Sequence, residues 1–276
     1  MNEEQAKKIL VGAGALLISL FCLAPFFYML LTALSRYADF LRPETPYIVT
    51  FSHLWTVLTS ESIHFLVYLR NSVIISFASA FVAVFTASLA AYAVSRIAFP
   101  FKRLFMLIIL ALSMFPEISL VSYLFTIMSG LGWINTLQAL IFPYVAWTLP
   151  LSLWILVSYF SQIPEELDKA GLIDGCSRLR ILTKIIYPVA APGIFSTGLL
   201  AFIVAFNEFL FALMLTTDYT ARTVPVGIAL FQGLHGETPW GEIMAAATIT
   251  TIPVVVITLI FQRRIIQGLT RGAIKA

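Results

Sequence analysis

Residues 164–176 read PEELDKAGLIDGC, and residues 187–193 read YPVAAPG. Both segments are rich in small residues, and each borders a long apolar run. Pro164 suits the first position of a helix, where its missing N–H would be unpaired in any case. Gly175 suits the left-handed residue that commonly follows a helix end. The first segment therefore predicts a short helix that ends at Asp174-Gly175.

A second helix is predicted directly after this glycine. Ser177 is a favoured N-cap residue, and the helix is expected to run to Ile186. Pro188 and Pro192 are expected to end it and to start the next apolar run, because proline removes a backbone donor and clashes with the preceding turn. Two helices around a glycine break are typical of a docking surface. An amphipathic hairpin lying on lipid headgroups would have the same pattern.

The remainder of the chain is strongly apolar. Of its 276 residues, 60% are hydrophobic and 11% are charged, whereas a soluble domain has about 25% charged residues. A water-soluble globule is therefore excluded, and the lipid bilayer must be the main solvent. A helix needs about 20 apolar residues to cross a bilayer. Six spans are predicted in one all-α membrane domain of residues 1–276, near residues 9–34, 71–94, 104–129, 136–160, 194–215 and 243–262.

The basic residues indicate how these spans are oriented, because cytoplasmic loops are enriched in Lys and Arg. With a cytoplasmic N-terminus, all of the 17 basic residues lie on the cytoplasmic side except Arg36, Arg42, Arg70 and Arg222. The sequence thus predicts both termini in the cytoplasm. It also places a loop of residues 161–190 and a tail of residues 263–276 there.

Charges and small residues give the first loop helix two kinds of surface. The acids of positions 165–168 fall in its first turn, where carboxylates interact favourably with the positive end of a helix. Leu167, Ala170 and Gly171 are spaced three and four apart and therefore share one face. We expect the small side chains at positions 170 and 171 to leave a shallow surface that another protein can approach.

The loop resembles the EAA loop of ATP-binding-cassette (ABC) importer permeases. Lys169 stands where that family usually has Glu. The matching residues are Ala170, Gly171, Asp174, Gly175, Pro188, Pro192 and Gly193. Four further elements resemble the smaller permease subunit of maltose- and trehalose-type sugar importers: AYAVSR at 91–96, MFP at 114–116, FNEFLFAL at 206–213 and FQRRIIQGLTRGAIKA at 261–276.

The resemblance implies a type I ABC importer permease fold in a bacterial or archaeal inner membrane. It implies three kinds of partner: two ABC ATPase subunits, a second homologous permease forming a heterodimer, and an extracytoplasmic solute-binding protein. The implied ATPase-coupling residues are Glu165, Glu166, Leu167, Ala170, Gly171, Asp174, Gly175, Lys184 and Pro188. The implied tail residues, which reach toward the ATPase dimer interface, are Gly268, Leu269, Thr270, Gly272 and Ala273.

The chain has no sequence signature for hydrolysing ATP itself. The phosphate-binding pattern G-x-x-x-x-G-K-[ST] needs a Gly-Lys pair, and no such pair occurs in the sequence. ATP and Mg²⁺ are therefore expected on partner ATPase subunits, with no cofactor bound directly by this chain. The two cysteines and three histidines do not suggest a metal site. The charge distribution gives no reason to expect nucleic-acid binding.

Two acids fall inside predicted spans. An ionisable group at the centre of a bilayer costs at least about 2.5 kcal/mol, so it usually faces a cavity or a partner. Glu117 follows Pro116, which is expected to break the third span. Asn207 and Glu208 fall in the fifth span. These three residues either line a translocation path for a hydroxyl-rich solute or form hydrogen bonds between helices.

The sequence favours an ATP-driven, binding-protein-dependent importer of a di- or oligosaccharide. One alternative is a secondary proton-coupled transporter that uses Glu117 and Glu208 as proton carriers. Another is an ABC importer permease for a non-sugar solute such as a glycerol phosphate. An intramembrane enzyme is disfavoured, because no His, Cys or paired-acid constellation suited to catalysis occurs. The particular solute is not specified by the sequence.

Overall fold

The structure, a computed structural model, describes residues 3–37, 47–231 and 238–273, with the side chains of Ala6 and residues 263–273 outside this description. Within these ranges every regular element is a helix, and the β pairing is one isolated bridge between Ser35 and Val49. The α-helices are α1 (Glu3–Ala33), α2 (Ser52–Thr59), α3 (Phe65–Arg96), α4 (Lys102–Ser113), α5 (Glu117–Gly130), α6 (Leu137–Phe160), α7 (Glu166–Ile173), α8 (Arg178–Ile181), α9 (Tyr187–Phe206), α10 (Leu210–Leu215), α11 (Val224–Ala229) and α12 (Trp240–Ala273).

Five helical segments of the described chain are long and apolar enough to cross a membrane. They are α1, α3, α6, the segment Arg178–Phe206 and the segment Trp240–Gln262. The short helices α4 and α5 supply a sixth span if the pair is counted as one. The prediction of an all-α membrane protein is therefore confirmed, with six spans when this pair is included.

The α4–α5 pair is bent by 89°. The bend occupies the MFP residues 114–116, and Pro116 is the N-cap residue of α5. Proline disfavours a helical conformation in the residue before it, so α4 ends and α5 begins in a new direction. The expected break of the third span at Pro116 thus occurs.

The chain divides into two compact units. The first comprises residues 1–66 and 228–252, within the described ranges, and contains α1, α2 and the start of α12. Most side chains of α1 are exposed, and Phe21, for example, is 79% exposed. An apolar helix of this kind is stable only in lipid or against another membrane protein.

The second unit comprises residues 67–227 and the chain from Pro253 onward. Its main core joins α3 to α6, to the end of the 161–190 loop and to α9. Ala83, Ala87 and Ala91 form a buried row on α3, and such small residues let helix backbones approach closely. A smaller core lies among α5, α6 and α10.

The prediction that Pro188 and Pro192 end the second loop helix is wrong. Residues Arg178–Phe206 form one continuous helical segment, with a π-helical turn at Leu182–Ile186. The Tyr187 N–H donates to the Leu182 carbonyl, five residues back. This wider turn directly before Pro188 accommodates the proline ring, since π turns relax the spacing that a proline would otherwise violate.

The fifth predicted span also ends earlier than expected. The continuous helix stops at Phe206 and not at Leu215, and α10 is a separate helix of 6 residues. Residues 207–209 between α9 and α10 are not helical. Non-helical backbone at membrane depth needs protein groups or a water-filled cavity to satisfy its polar atoms.

Candidate functional site: helix α7 and the break between α9 and α10

The helix α7 forms as its flanking residues predict. Pro164 and the N-cap residue Glu165 precede it, and Asp174 is its C-cap residue. Gly175 has φ +75°, which is the left-handed region. The Cys176 N–H donates to the Gly171 carbonyl at 2.9 Å, and the Gly175 N–H donates to the Leu172 carbonyl at 3.1 Å. These two bonds form the Schellman motif of a glycine-terminated helix.

One side of α7 is fastened to the end of α3 through Asp168, which is 8% exposed. The Tyr92 hydroxyl donates to Asp168 Oδ1 at 2.8 Å. Arg96 Nε lies 3.0 Å from Asp168 Oδ2, and an Arg96 Nη donates to the Ile163 carbonyl at 2.7 Å. Arg96 thus holds both α7 and the backbone that leads into it.

Sequence reasoning treated Asp168 as one of several first-turn acids and missed this anchor. The motif AYAVSR at 91–96 did contain a sign of this anchor, because Tyr92 and Arg96 are four residues apart. Residues at that spacing share a helix face. Nothing in the sequence pattern indicated that Asp168, and not a neighbouring acid, meets that face.

Gly171 does not contribute to an open surface, contrary to the expectation. A Cβ atom at Gly171 would lie 2.9 Å from Ile181 Cγ1 and 3.0 Å from Ile185 Cδ1. The position is buried because α7 packs here against the segment that leads into α9. Leu167 also packs against the main core, whereas Ala170 is exposed.

The outer side of α7 exposes large apolar side chains among the polar ones. Ile173 is 87% exposed, Leu172 is 47% exposed and Leu179, in α8, is 64% exposed. Exposed apolar side chains grouped in a polar loop are typical of a protein-binding surface. The remaining predicted coupling residues that are exposed are Glu165, Glu166, Asp174, Gly175, Lys184 and Pro188.

Glu208 lies in the break between α9 and α10 and is 8% exposed. The Phe211 N–H donates to its Oε1 at 2.6 Å, and the Ala212 N–H donates to its Oε2 at 3.2 Å. The carboxylate therefore satisfies the first free N–H groups of α10, as an acid at a helix N-terminus does. The Asn207 side chain is exposed and donates to the Ile203 carbonyl at 2.8 Å.

Glu117 is the first residue of α5, directly after the bend. Its side chain is half-buried, and its position at a helix N-terminus favours a carboxylate. Glu117 is thus the first residue of α5, and Glu208 lies two residues before the start of α10. Each acid is placed at a helix N-terminus beside a break, a shared feature that spacing in the sequence did not reveal.

The predicted tail residues Gly268, Leu269, Thr270, Gly272 and Ala273 lie in the last turns of α12. Their backbone is helical, and their side chains lie outside the described part of the chain, as do residues 274–276 entirely. Among the described residues no group of three or more His, Cys, Asp or Glu is placed to hold a metal ion.

A helical chain with several membrane spans and a helix–glycine–helix loop between two of them has the architecture of a transporter permease subunit. Residues 83–271 match the model of the family described as binding-protein-dependent transport system inner membrane component, and the chain belongs to this family. It is therefore a multi-pass protein of the inner membrane.

Individual proteins resemble the chain over most of its length. It is 56% identical over 276 residues to the trehalose/maltose transport system permease protein MalG of Thermococcus litoralis, covering 100% of this chain and 99% of that protein. It is 37% identical over 268 residues to the sulfoquinovosyl glycerol transport system permease protein SmoH of Agrobacterium fabrum, covering 96% and 92%. A chain of a bacterial ABC transporter involved in alginate import has the same fold, with a TM-score of 0.76, 20% identity and coverage of 95% and 98%.

Proposed function

We propose that this chain is one permease half of an ATP-driven importer for a sugar of the trehalose or maltose type. A second, homologous permease completes the pore as a heterodimer, and an extracytoplasmic binding protein delivers the sugar. Two ATPase subunits bind ATP and Mg²⁺ on the cytoplasmic side, and one of them docks on residues 164–186. The chain itself is non-catalytic, and its spans alternate access as rigid bodies.

The observation that carries the docking proposal is the two-sided construction of α7. Its inner side is held by the buried Asp168, while Ile173, on the far side, is 87% exposed and Leu172, at the edge between the two sides, is 47% exposed. Burial of such side chains contributes about 25 cal/mol per Å² of apolar surface, so an ATPase cleft would gain from enclosing them. The exposed charges Glu165, Glu166 and Lys184 would then form the polar rim that interfaces have around an apolar centre.

A proton pathway is not needed to account for Glu208. Its two bonds to the backbone of α10 support a structural role, which weakens the alternative of a proton carrier at this position. In the proposed importer, Glu117 and Asn207 remain the better candidates to line the translocation path. The C-terminal residues from Gly268 to Ala273 are proposed to approach the ATPase dimer.

The proposed solute rests on the relatives. The protein that shares 56% of its residues over the full chain is a trehalose/maltose permease, and a protein with 37% identity carries sulfoquinovosyl glycerol in its name. A glycosylated glycerol is therefore the second candidate solute. Both are polyhydroxylated glycosides, which a path of hydrogen-bonding side chains suits.

Reconstitution tests this function directly. The chain is co-expressed with its neighbouring transport genes, purified as a complex and inserted into liposomes with radiolabelled trehalose, maltose or sulfoquinovosyl glycerol outside. Uptake is expected only with ATP, Mg²⁺ and the binding protein. Uptake by the chain alone without ATP would instead establish a secondary transporter.

The docking surface has its own test in Gly175→Arg. A bulky side chain at φ +75° is expected to distort the end of α7, so the ATPase should no longer co-purify while membrane insertion is unchanged. Gln162→Arg is the matched control, because it adds the same charge at a nearby exposed position. Normal uptake by the Gly175→Arg complex would refute docking on this loop.

A further inference from the structure

The helix α3 is bonded at both of its ends to segments that are distant in sequence. Asn71, near one end, is fully buried, and Arg96, at the other end, has a side chain that is 5% exposed. At a rise of 1.5 Å per residue the two positions are about 38 Å apart. The hydrocarbon layer of a bilayer is about 30 Å thick. The two sets of bonds therefore lie at opposite surfaces of the membrane.

The first anchor joins α3 to α7. It consists of the Tyr92 hydroxyl and Arg96 guanidinium on Asp168. Buried polar groups of this kind are costly unless paired, so α7 and the end of α3 are expected to move together.

The second anchor joins the other end of α3 to residues 216–224, termed here the far segment. The Asn71 side-chain amide donates to the carbonyls of Thr220 at 2.9 Å and Arg222 at 3.0 Å. The Val224 N–H donates to the Ser72 hydroxyl at 2.8 Å. These bonds replace the hydrogen-bond partners that an irregular backbone lacks, so α3 holds one side of the far segment. Asn135 holds its other part, because its Oδ1 accepts from the Thr217 and Asp218 N–H groups.

The body of α3 between the anchors is suited to transmit a displacement. Of the five long apolar helical segments in the described chain, the other four contain proline. α3 is 32 residues long and contains neither proline nor glycine. Sharp kinks in helices almost always arise at proline, glycine or π turns. α3 therefore has none of the usual points of bending.

We propose that α3 is a rigid strut that links the coupling helix α7 to the far segment 216–224 across the membrane. The inference rests on the proposed function, in which an ATPase subunit moves α7. Displacement of α7 shifts α3 and, through Asn71 and Ser72, repositions the far segment. Since coupling between two binding sites is reciprocal, a protein bound at the far segment also changes the affinity with which the ATPase subunit docks on α7.

The test is a double-mutant cycle in the reconstituted complex, with trehalose transported per ATP hydrolysed as the readout. Asp168→Asn loosens the first anchor and Ser72→Ala the second. Each single variant is expected to lower the ratio about tenfold, a typical coupling strength between sites. The double variant should be no worse than either single one, because a strut released at one end is already ineffective. Losses that multiply in the double variant would overturn the proposal.

Ser88→Ala is the matched control. Ser88 lies between the two anchors, one turn before Tyr92, and its hydroxyl bonds to that of Tyr187, so its loss removes a buried hydroxyl that takes part in neither anchor. The ratio should stay at the wild-type value. If the anchor variants behave like Ser88→Ala, the strut is refuted. Tyr92→Phe, which removes one hydroxyl, replaces Asp168→Asn if that complex does not assemble.

Hydrogen exchange in the same complexes separates this proposal from the proposed function. The Val224 amide should exchange faster in Asp168→Asn than in Ser88→Ala, although position 168 is on the other side of the membrane. Equal exchange in the two variants would overturn the strut. Absence of ATP-driven uptake by the wild-type complex would instead refute the importer, and the exchange rates would still decide the strut.

Discussion

Asp168 and Arg96 are 72 positions apart in the sequence, yet Oδ2 of the first lies 3.0 Å from Nε of the second. The side chains of Arg96 and Asp168 are 5% and 12% exposed, respectively. Removing one member of a buried ion pair leaves an uncompensated charge.

We therefore expect Arg96→Ala to destabilise the protein by about 3–5 kcal/mol. Thermal unfolding of the purified complex in detergent measures the effect. Arg103→Ala is the control, since Arg103 is an exposed arginine of α4. Equal melting temperatures for the two variants would show that the buried pair contributes little.

Gly171→Val is expected to push α7 away from the segment that leads into α9. Its Cβ would lie 2.9 Å from Ile181 Cγ1, and overpacking of this kind costs about 1–3 kcal/mol. Limited proteolysis of the 161–190 loop should be faster, and less ATPase should co-purify. Gly198→Ala in α9 is the control, because its Cβ would meet nothing within 4 Å. Unchanged proteolysis of Gly171→Val would contradict the packing described.

His53, in the short helix α2, makes a pH-sensitive contact. His53 Nδ1 lies 3.0 Å from Glu242 Oε1, and Nε2 lies 3.1 Å from the Ser35 carbonyl. Both ring nitrogens face acceptors, so the structure favours the doubly protonated imidazolium. The hydrogen bond to Glu242 raises the pKa of His53 above its ordinary value of 6.5.

A raised pKa in the folded state fixes the direction of the pH effect. The stabilisation by His53 is fully present below the unfolded-state pKa and is lost as the pH rises through the folded-state pKa. The melting temperature of wild type should therefore exceed that of His53→Ala most at acidic pH, and the difference should shrink at alkaline pH. A difference that grows with pH would contradict the assigned protonation.

Labelling of cysteine measures the orientation of the loop. Cys176 lies next to Gly175 and is partly exposed. In a Cys22→Ser background, a membrane-impermeant maleimide should label Cys176 in inside-out vesicles and not in intact spheroplasts. Asp218→Cys with Cys176→Ser should give the opposite result, because residue 218 lies in the same segment as Arg222, which the pattern of basic residues places outside. Labelling of Cys176 in spheroplasts would reverse the predicted topology.

The sequence was most informative where structure depends on local chemistry. Pro164 marks the start of α7 and Gly175 marks its end. These positions are predictable because helix ends are set by backbone geometry, which proline and glycine control directly. The break at Pro116 was predictable for the same reason. Pro188 was misread because a π turn, which has no comparably clear sequence signature, relieves the clash.

The contacts of the site were less predictable, because they depend on which distant residues meet. The acids at positions 165, 166 and 168 look alike in sequence, but only Asp168 faces Tyr92 and Arg96. The sequence predicts Gly171 to be part of an open surface, but its small size serves packing against Ile181. The capping of α10 by Glu208 requires a helix break, whereas the sequence predicts residues 194–215 to be one span despite Asn207 and Glu208 within it.

The 89° bend between α4 and α5 also determines whether the chain crosses the membrane an even or an odd number of times. If the pair crosses the bilayer, the number of crossings is even and both termini share a compartment. If the pair enters and leaves by the same surface, the number is odd, and every segment after Gly130 changes sides. The basic residues of the 161–190 loop and of the C-terminal tail would then face outward. This would contradict the rule that Lys and Arg are enriched on the cytoplasmic side. Three residues at one bend thus decide which compartment α7 faces.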